Sequence, residues 1–116
     1  MSRNYLEYVL DLLSHCDSIT SRAMFGGYGI YKNGVIFAII AHDELYFKVD
    51  QSNIDLYKKQ GSEAFTFEPK DRVSTMISYW KVPLIIMEDE TELKDWVEQS
   101  YNISLKNNKN GYNKKG

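Results

Sequence analysis

The sequence predicts an α+β domain, an antiparallel sheet with helices packed on it in the order α-β-β-β-α-β-β-α. Three observations carry that expectation. Apolar residues recur at helical spacing near both ends of the chain, over 5–13 and 93–101. Residues 45–50 alternate strictly between apolar and polar, the two-residue period of a half-buried strand. Asn33-Gly34 separates two apolar runs, and both residues tolerate the positive φ that a type I′ hairpin turn requires.

The first helix runs from Asn4 to about Ser14, with Tyr5, Leu6, Val9, Leu12 and Leu13 inward and Glu7 and Asp11 outward. Asn4 followed three residues later by Glu7 reads as a capping-box start. Ser14-His15-Cys16-Asp17-Ser18 ends this helix and forms a connection. Ile19 to Tyr31 is the first strand region. Its glycines, Gly26, Gly27 and Gly29, need a local reason such as a bulge or a close backbone or side chain, because glycine inside an element costs about 0.5–1 kcal/mol relative to alanine. After the Asn33-Gly34 turn, Val35 to Ala41 is apolar on both parities, so both of its faces are expected to be covered. His42-Asp43-Glu44 is a second polar turn. It leads into a third strand with Leu45, Phe47 and Val49 on one side and Tyr46, Lys48 and Asp50 on the other.

Asp50 or Ser52 can cap a short helix from about Asn53 to Gln60, with Ile54 and Tyr57 inward and Gly61 as its stop. Phe65-Thr66-Phe67 reads as a short strand, Lys70-Asp71-Arg72 as a polar turn, and Thr75 to Val82 as a fifth strand closed by Pro83. Asp89 with Glu92 opens the last helix, whose inward stripe is Leu93, Trp96, Val97, Ser100 and Tyr101. Residues 1–104 form one domain, and the Lys/Asn-rich residues 105–116 have too little apolar content to pack and are expected to be a disordered tail. There is no internal repeat.

At 116 residues, 43% hydrophobic and 26% charged, the composition is that of a soluble globular protein. No apolar run approaches the roughly 18–20 residues that span a bilayer, and the N-terminus has no signal-peptide core. One cysteine, Cys16, excludes an intramolecular disulfide framework, and a cytoplasmic protein is expected. The net charge of −2 divides unevenly: residues 102–116 carry four lysines and no acid, and residues 1–101 hold ten basic against sixteen acidic side chains. A body that acidic repels nucleic-acid phosphates. There is no helix-turn-helix, zinc finger or basic helix, so sequence-specific DNA reading by this chain alone is not expected.

Chemistry is harder to place. His15 and Cys16 are adjacent and His42 is far off, so no metal-ligand spacing exists and no metal or other cofactor is expected. Cys16 as a nucleophile would need a base in unusual loop geometry, and a small buried hydrophobe is the simpler reading. Gly26-Gly27-Tyr28-Gly29 lacks the glycine order of a dinucleotide loop, the P-loop lysine and a following helix. The acids at Asp43-Glu44 and over 88–92 have structural positions at a turn and a helix start. Arg22, Tyr46, Lys48 and Tyr79 fall where they could share an exposed sheet face, with Phe25 and Tyr28 as further candidates. Such a tyrosine- and arginine-bearing face suits a protein partner, or it is ordinary solvent-facing strand.

Taken together, Arg22-x-Met24-Phe25-Gly26-Gly27-x-Gly29-Ile30-Tyr31, Gly34-x-x-Phe37-Ala38, Leu45-Tyr46-x-Lys48-x-Asp50, Tyr57, Gly61, Phe65, Met76, Tyr79, Val82-Pro83 and Leu93-x-x-Trp96 resemble the N-terminal domain of the TfoX (Sxy) competence-regulator family. The likeness covers about residues 3–101, with Met24, Gly26, Gly27, Gly29, Gly34, Pro83 and Trp96 as its structural signature. It implies a secretion-chaperone-like fold with the element order derived above. It also implies a non-enzymatic regulatory domain, since full-length relatives activate genes for DNA uptake together with the cyclic-AMP receptor protein. Those regulators carry a second, helical C-terminal domain, whereas this sequence ends in lysines and asparagines, so a stand-alone form is expected. The resemblance brings no catalytic or ligand residues to these positions.

The expected partner is therefore a protein, either the transcription machinery or an activator of the cyclic-AMP-receptor type. A homodimer through an open sheet edge or the aromatic face is the further expectation. The competing reading is a small-ligand or nucleotide-binding protein using the glycine-rich strand near Arg22 and Lys48. A weaker one is an enzyme built on Cys16.

Overall fold

The computed structural model describes the backbone of residues 3–24, 26–67 and 74–115, and side chains over 4–24, 26–66 and 78–107. Phe25, the Lys70-Asp71-Arg72 turn and the Met76 side chain lie outside the described residues. The elements are α1 (Arg3–Leu12), β1 (Ile19–Met24), β2 (Gly27–Lys32), β3 (Val35–Ala41), β4 (Glu44–Lys48), α2 (Ile54–Lys59), β5 (Ala64–Phe67), β6 (Ser74–Lys81), α3 (Leu84–Met87) and α4 (Glu90–Lys115). The strands form one six-stranded sheet in the order β1-β2-β3-β4-β6-β5, with every described pairing antiparallel. This is the α+β architecture expected from the sequence.

Two elements refine that expectation. The region Ile19–Tyr31 is two strands, because the chain turns back at Gly26, whose φ of +76° is open to glycine. The run after Pro83 forms the short helix α3, with Pro83 at its N-cap and no N–H to lose there. A continuous apolar run such as 82–87 has no period by which to tell a strand end from a helix.

The turns follow their residues closely. Asn33 and Gly34 have φ of +50° and +79°, the type I′ pattern between β2 and β3, and His42 and Asp43 at +53° and +57° repeat it between β3 and β4. Gly61, at +74°, ends α2 as expected. The α2 N-cap is Asn53, without a side-chain cap bond; Asp50 instead accepts the Ser52 N–H at 2.7 Å, and Asn53 accepts the Asp50 N–H at 2.9 Å. Asp89 caps α4 by accepting the Glu92 N–H at 3.1 Å. Asn4 lies inside the first turn of α1, which begins at Arg3.

The core fills the space between the helices and one side of the sheet. Leu6, Val9 and Leu13 from the first helical stretch and Leu93, Trp96 and Val97 from α4 meet Ile30, Phe37, Ala38, Ile40, Leu45, Phe47 and Val49. Phe37 and Phe47 pack edge-on at 5.6 Å, and the Trp96 and Tyr57 rings meet at a tilt of 51° with centroids 4.4 Å apart. Ser100 belongs to the inward stripe because its hydroxyl donates to the Lys48 carbonyl at 2.7 Å, tying α4 to β4. The Tyr57 hydroxyl has no hydrogen-bond partner among the described residues, and burial pushes its pKa up, with nearby Ser100 acting in the opposite direction.

The backbone of α4 is helical through Lys115, into the segment expected to be a disordered tail. Extending an established helix avoids the cost of nucleating one, so even lysines and asparagines can continue it. Ile103 and Ser104 are the last buried side chains on it among the described residues.

A candidate interaction surface

Strand register sorts the candidate residues by face. Arg22 pairs with Gly29, Gly29 with Ile39, Ile39 with Tyr46, and Tyr46 with Lys81, a row across five strands on the side opposite the core. Their neighbours in sequence, Ile30, Ile40 and Phe47, point into the core. Tyr31 shares the open side with Gly29, and Lys48, paired with Tyr79, shares it with Tyr46.

Side chains lie flat on this face. The Arg22 guanidinium is 6.0 Å from the Tyr31 ring centroid, and Lys48 Nζ is 5.1 Å from that of Tyr79. Tyr46 meets Phe65 edge-on at 4.9 Å, and Lys81 pairs with Glu44 at 3.6 Å. Tyr46 and Tyr79 are consequently only 9% and 7% exposed, so the exposed face expected from the sequence is led by Arg22, Tyr31 and Lys48 instead. Desolvation pushes the Tyr79 phenol up to about 12, helped by the Tyr31 phenol beside it. Burial likewise raises Tyr46, with Glu44 and Glu63 adding to it, and lowers Lys48.

Tyr28 does not belong to this group. It pairs with Ile40 and packs against the core on the helix side. Alternation along β2 requires this once Gly29 faces outward, and the notched register was not legible from the glycines alone.

The glycines have packing reasons. A Cβ on Gly27 would stand 2.1 Å from the Ile40 carbonyl oxygen, so the main chain of β3 excludes any side chain there. A Cβ on Gly29 would meet Met24 Sδ at 2.8 Å, Ile36 Cδ1 at 3.0 Å and Tyr31 Cε1 at 3.1 Å, because these side chains close over the gap. The register between β2 and β3 also shifts at Ile30/Tyr31, leaving Phe37 as the extra residue of a bulge. Thus Val35, Ile36 and Ile39 are half-buried, and no residue of β3 is exposed: long cross-strand side chains shield its open side in place of a helix.

The family model of the TfoX N-terminal domain matches residues 11–103. The chain belongs to the TfoX N-terminal domain family. No curated protein matches it. The match takes in every candidate residue above, from Arg22 to Tyr79, together with the signature glycines, Pro83 and Trp96.

A second polar cluster in this TfoX N-terminal domain lies where α4 crosses the β2–β3 turn. Lys32, 8% exposed, donates to the Asp17 carbonyl at 2.9 Å, pairs with Glu98 at 3.5 Å and lies 5.7 Å from the Tyr101 ring centroid. The Asn33 amide donates to the Tyr101 hydroxyl at 3.2 Å, and His15 Nε2–H donates to the Glu90 carbonyl at 3.2 Å. Cys16 is buried nearby, and desolvation pushes its thiol up although Lys32 acts the other way. A thiol held protonated is a poor nucleophile, and the His15 proton is engaged with a main-chain oxygen. The cluster fastens the end of the first helical stretch, the hairpin and α4 to one another. Among the described residues no three histidine, cysteine or carboxylate groups converge as a metal site, and no helix is long and apolar enough to cross a membrane.

Proposed function

We propose that this chain is a non-enzymatic regulatory domain of the competence-related kind, acting by contact with a protein of the transcription machinery. The observation that carries the reading is the family membership over residues 11–103. The open sheet face supplies the contact. Arg22 and Lys48 are held over tyrosine rings, so their apolar stems and the neighbouring Tyr31, Ile36 and Ile39 give a preordered surface that loses little side-chain freedom on binding. Arginine and tyrosine are among the residue types that dominate binding energy at protein interfaces.

The ligand-binding reading draws less support. The glycine-rich strand is filled by Ile40 main chain and by the Met24, Ile36 and Tyr31 side chains, which accounts for its glycines without a phosphate.

The test is a transcript comparison between a deletion strain and its parent, followed by binding of the purified protein to RNA polymerase and to a cyclic-AMP-receptor-type activator. Altered DNA-uptake transcripts, and binding weakened by Arg22→Ala and Lys48→Ala, are the expected results. Unchanged transcripts with no binding to either protein would refute the reading.

A further inference from the structure

We infer that the free edge of β1 is a self-association site, at which a second copy of this chain pairs antiparallel about a two-fold axis through Ser21. The inference stands apart from the regulatory reading: it concerns the edge of the sheet and not its open face.

The hydrogen-bond phase of β1 fixes which groups are available. The Asn33 N–H donates to the Ser18 carbonyl at 3.1 Å, so residue 18 faces β2, and in the register of β1 on β2 the same holds for Thr20, Arg22 and Met24. Ile19, Ser21 and Ala23 therefore aim their N–H and C=O groups away from the sheet. Thr20, Arg22 and Ala23 are exposed and Ile19, Ser21 and Met24 are half-buried, so no residue of β1 is sealed off from solvent. It also lacks the usual obstacles. β1 contains no proline and no lysine, and its six pairs with β2 run without a register shift. Its one charge, Arg22, is drawn back over the Tyr31 ring. The opposite edge, β5, has four residues and is broken by a shift at Ala64/Phe65.

The occupant follows from the strand's own complementarity. Pairing about Ser21 sets Ile19 against the second copy's Ala23, Ser21 against Ser21 and Ala23 against Ile19, so all three outward residues of each strand bond in full. Arg22 then faces Thr20, and no like charges oppose one another. Moving the axis to Arg22 would oppose two guanidiniums and leave Ile19 without a partner in the strand. The axis is perpendicular to the sheet, so the two copies build one continuous sheet with both open faces on the same side.

Sedimentation equilibrium of the full chain over a wide concentration range tests this. A reversible monomer–dimer equilibrium is expected. Ser21→Pro removes an outward N–H that β2 does not use, and should weaken association by about tenfold or more while leaving the circular dichroism unchanged. Should that variant not fold, cross-linking decides. Hydrogen-bonded antiparallel partners have Cα atoms about 5.5 Å apart, within disulfide range, so Ser21→Cys should form a covalent dimer under copper–phenanthroline far faster than Arg22→Cys. A wild-type protein monomeric throughout, a Ser21→Pro protein that dimerises normally, or equal cross-linking at the two positions would overturn the inference.

Discussion

The two sides of the sheet use the same residue types to different ends. On the helix side, Ile30, Phe37, Ala38 and Phe47 are fully buried within one continuous core shared with the helices. On the open side, aromatic and aliphatic groups are shielded pairwise by their strand neighbours: Tyr31 by Arg22, Tyr79 by Lys48, Gly29 by Met24 and Ile36. The first arrangement supplies stability. The second leaves a flat apolar surface with its cations held in place, which a partner can cover without unfolding anything.

Substitutions should separate the sides sharply. Phe47→Ala, which empties the centre of the core, is expected to cost about 3–5 kcal/mol in urea unfolding. Gly27→Ala, which drives a methyl into the Ile40 carbonyl, should cost about 1–3 kcal/mol through displacement of β2 from β3. A loss nearer the cost of an exposed change would mean that the two strands can part freely there. Alkali probes both sides at once. Tyr5 and Tyr79 are each held up to about 12 from an ordinary 10.0, chiefly by desolvation, Tyr5 also by Glu44. Their neutral forms are favoured by folding, so that contribution is whole below pH 10 and is lost as pH rises toward 12. Tyrosinate absorbance should therefore rise in two stages, the second coinciding with loss of circular dichroism. Lys48, lowered by burial, works in the opposite sense below 10.5. At the small end, Arg22→Ala should change stability by no more than about 0.5 kcal/mol while weakening partner binding. A larger loss of stability would make the Arg22–Tyr31 contact a structural one.

Much of this was legible in the sequence. The alternation of Leu45, Phe47 and Val49 and the helical stripe of Leu93, Trp96 and Val97 named the core, because burial imposes its period directly on composition. Asn33-Gly34 and Gly61 marked turns because few other residues reach those φ values. The side taken by Tyr28 is not legible because a strand's phase depends on which glycine turns the chain, and Gly26, Gly27 and Gly29 offer three choices. Tyr46 and Tyr79 were expected in solvent because the sequence does not tell which open-face side chains will cover one another. The Lys32–Glu98 pair was missed for a related reason: a lysine beside a hairpin turn reads as solvent-facing until α4 is laid across it.

The bond from the Ser100 hydroxyl to the Lys48 carbonyl couples these two sides mechanically. Lys48 is where β4 meets the outside world, and its own main-chain oxygen is the hook that α4 grips from behind. Displacing β4 at that point means either moving α4 (Glu90–Lys115) with it or breaking the bond, so the strand that bears Lys48 on the bare side is anchored from behind by a helix on the other.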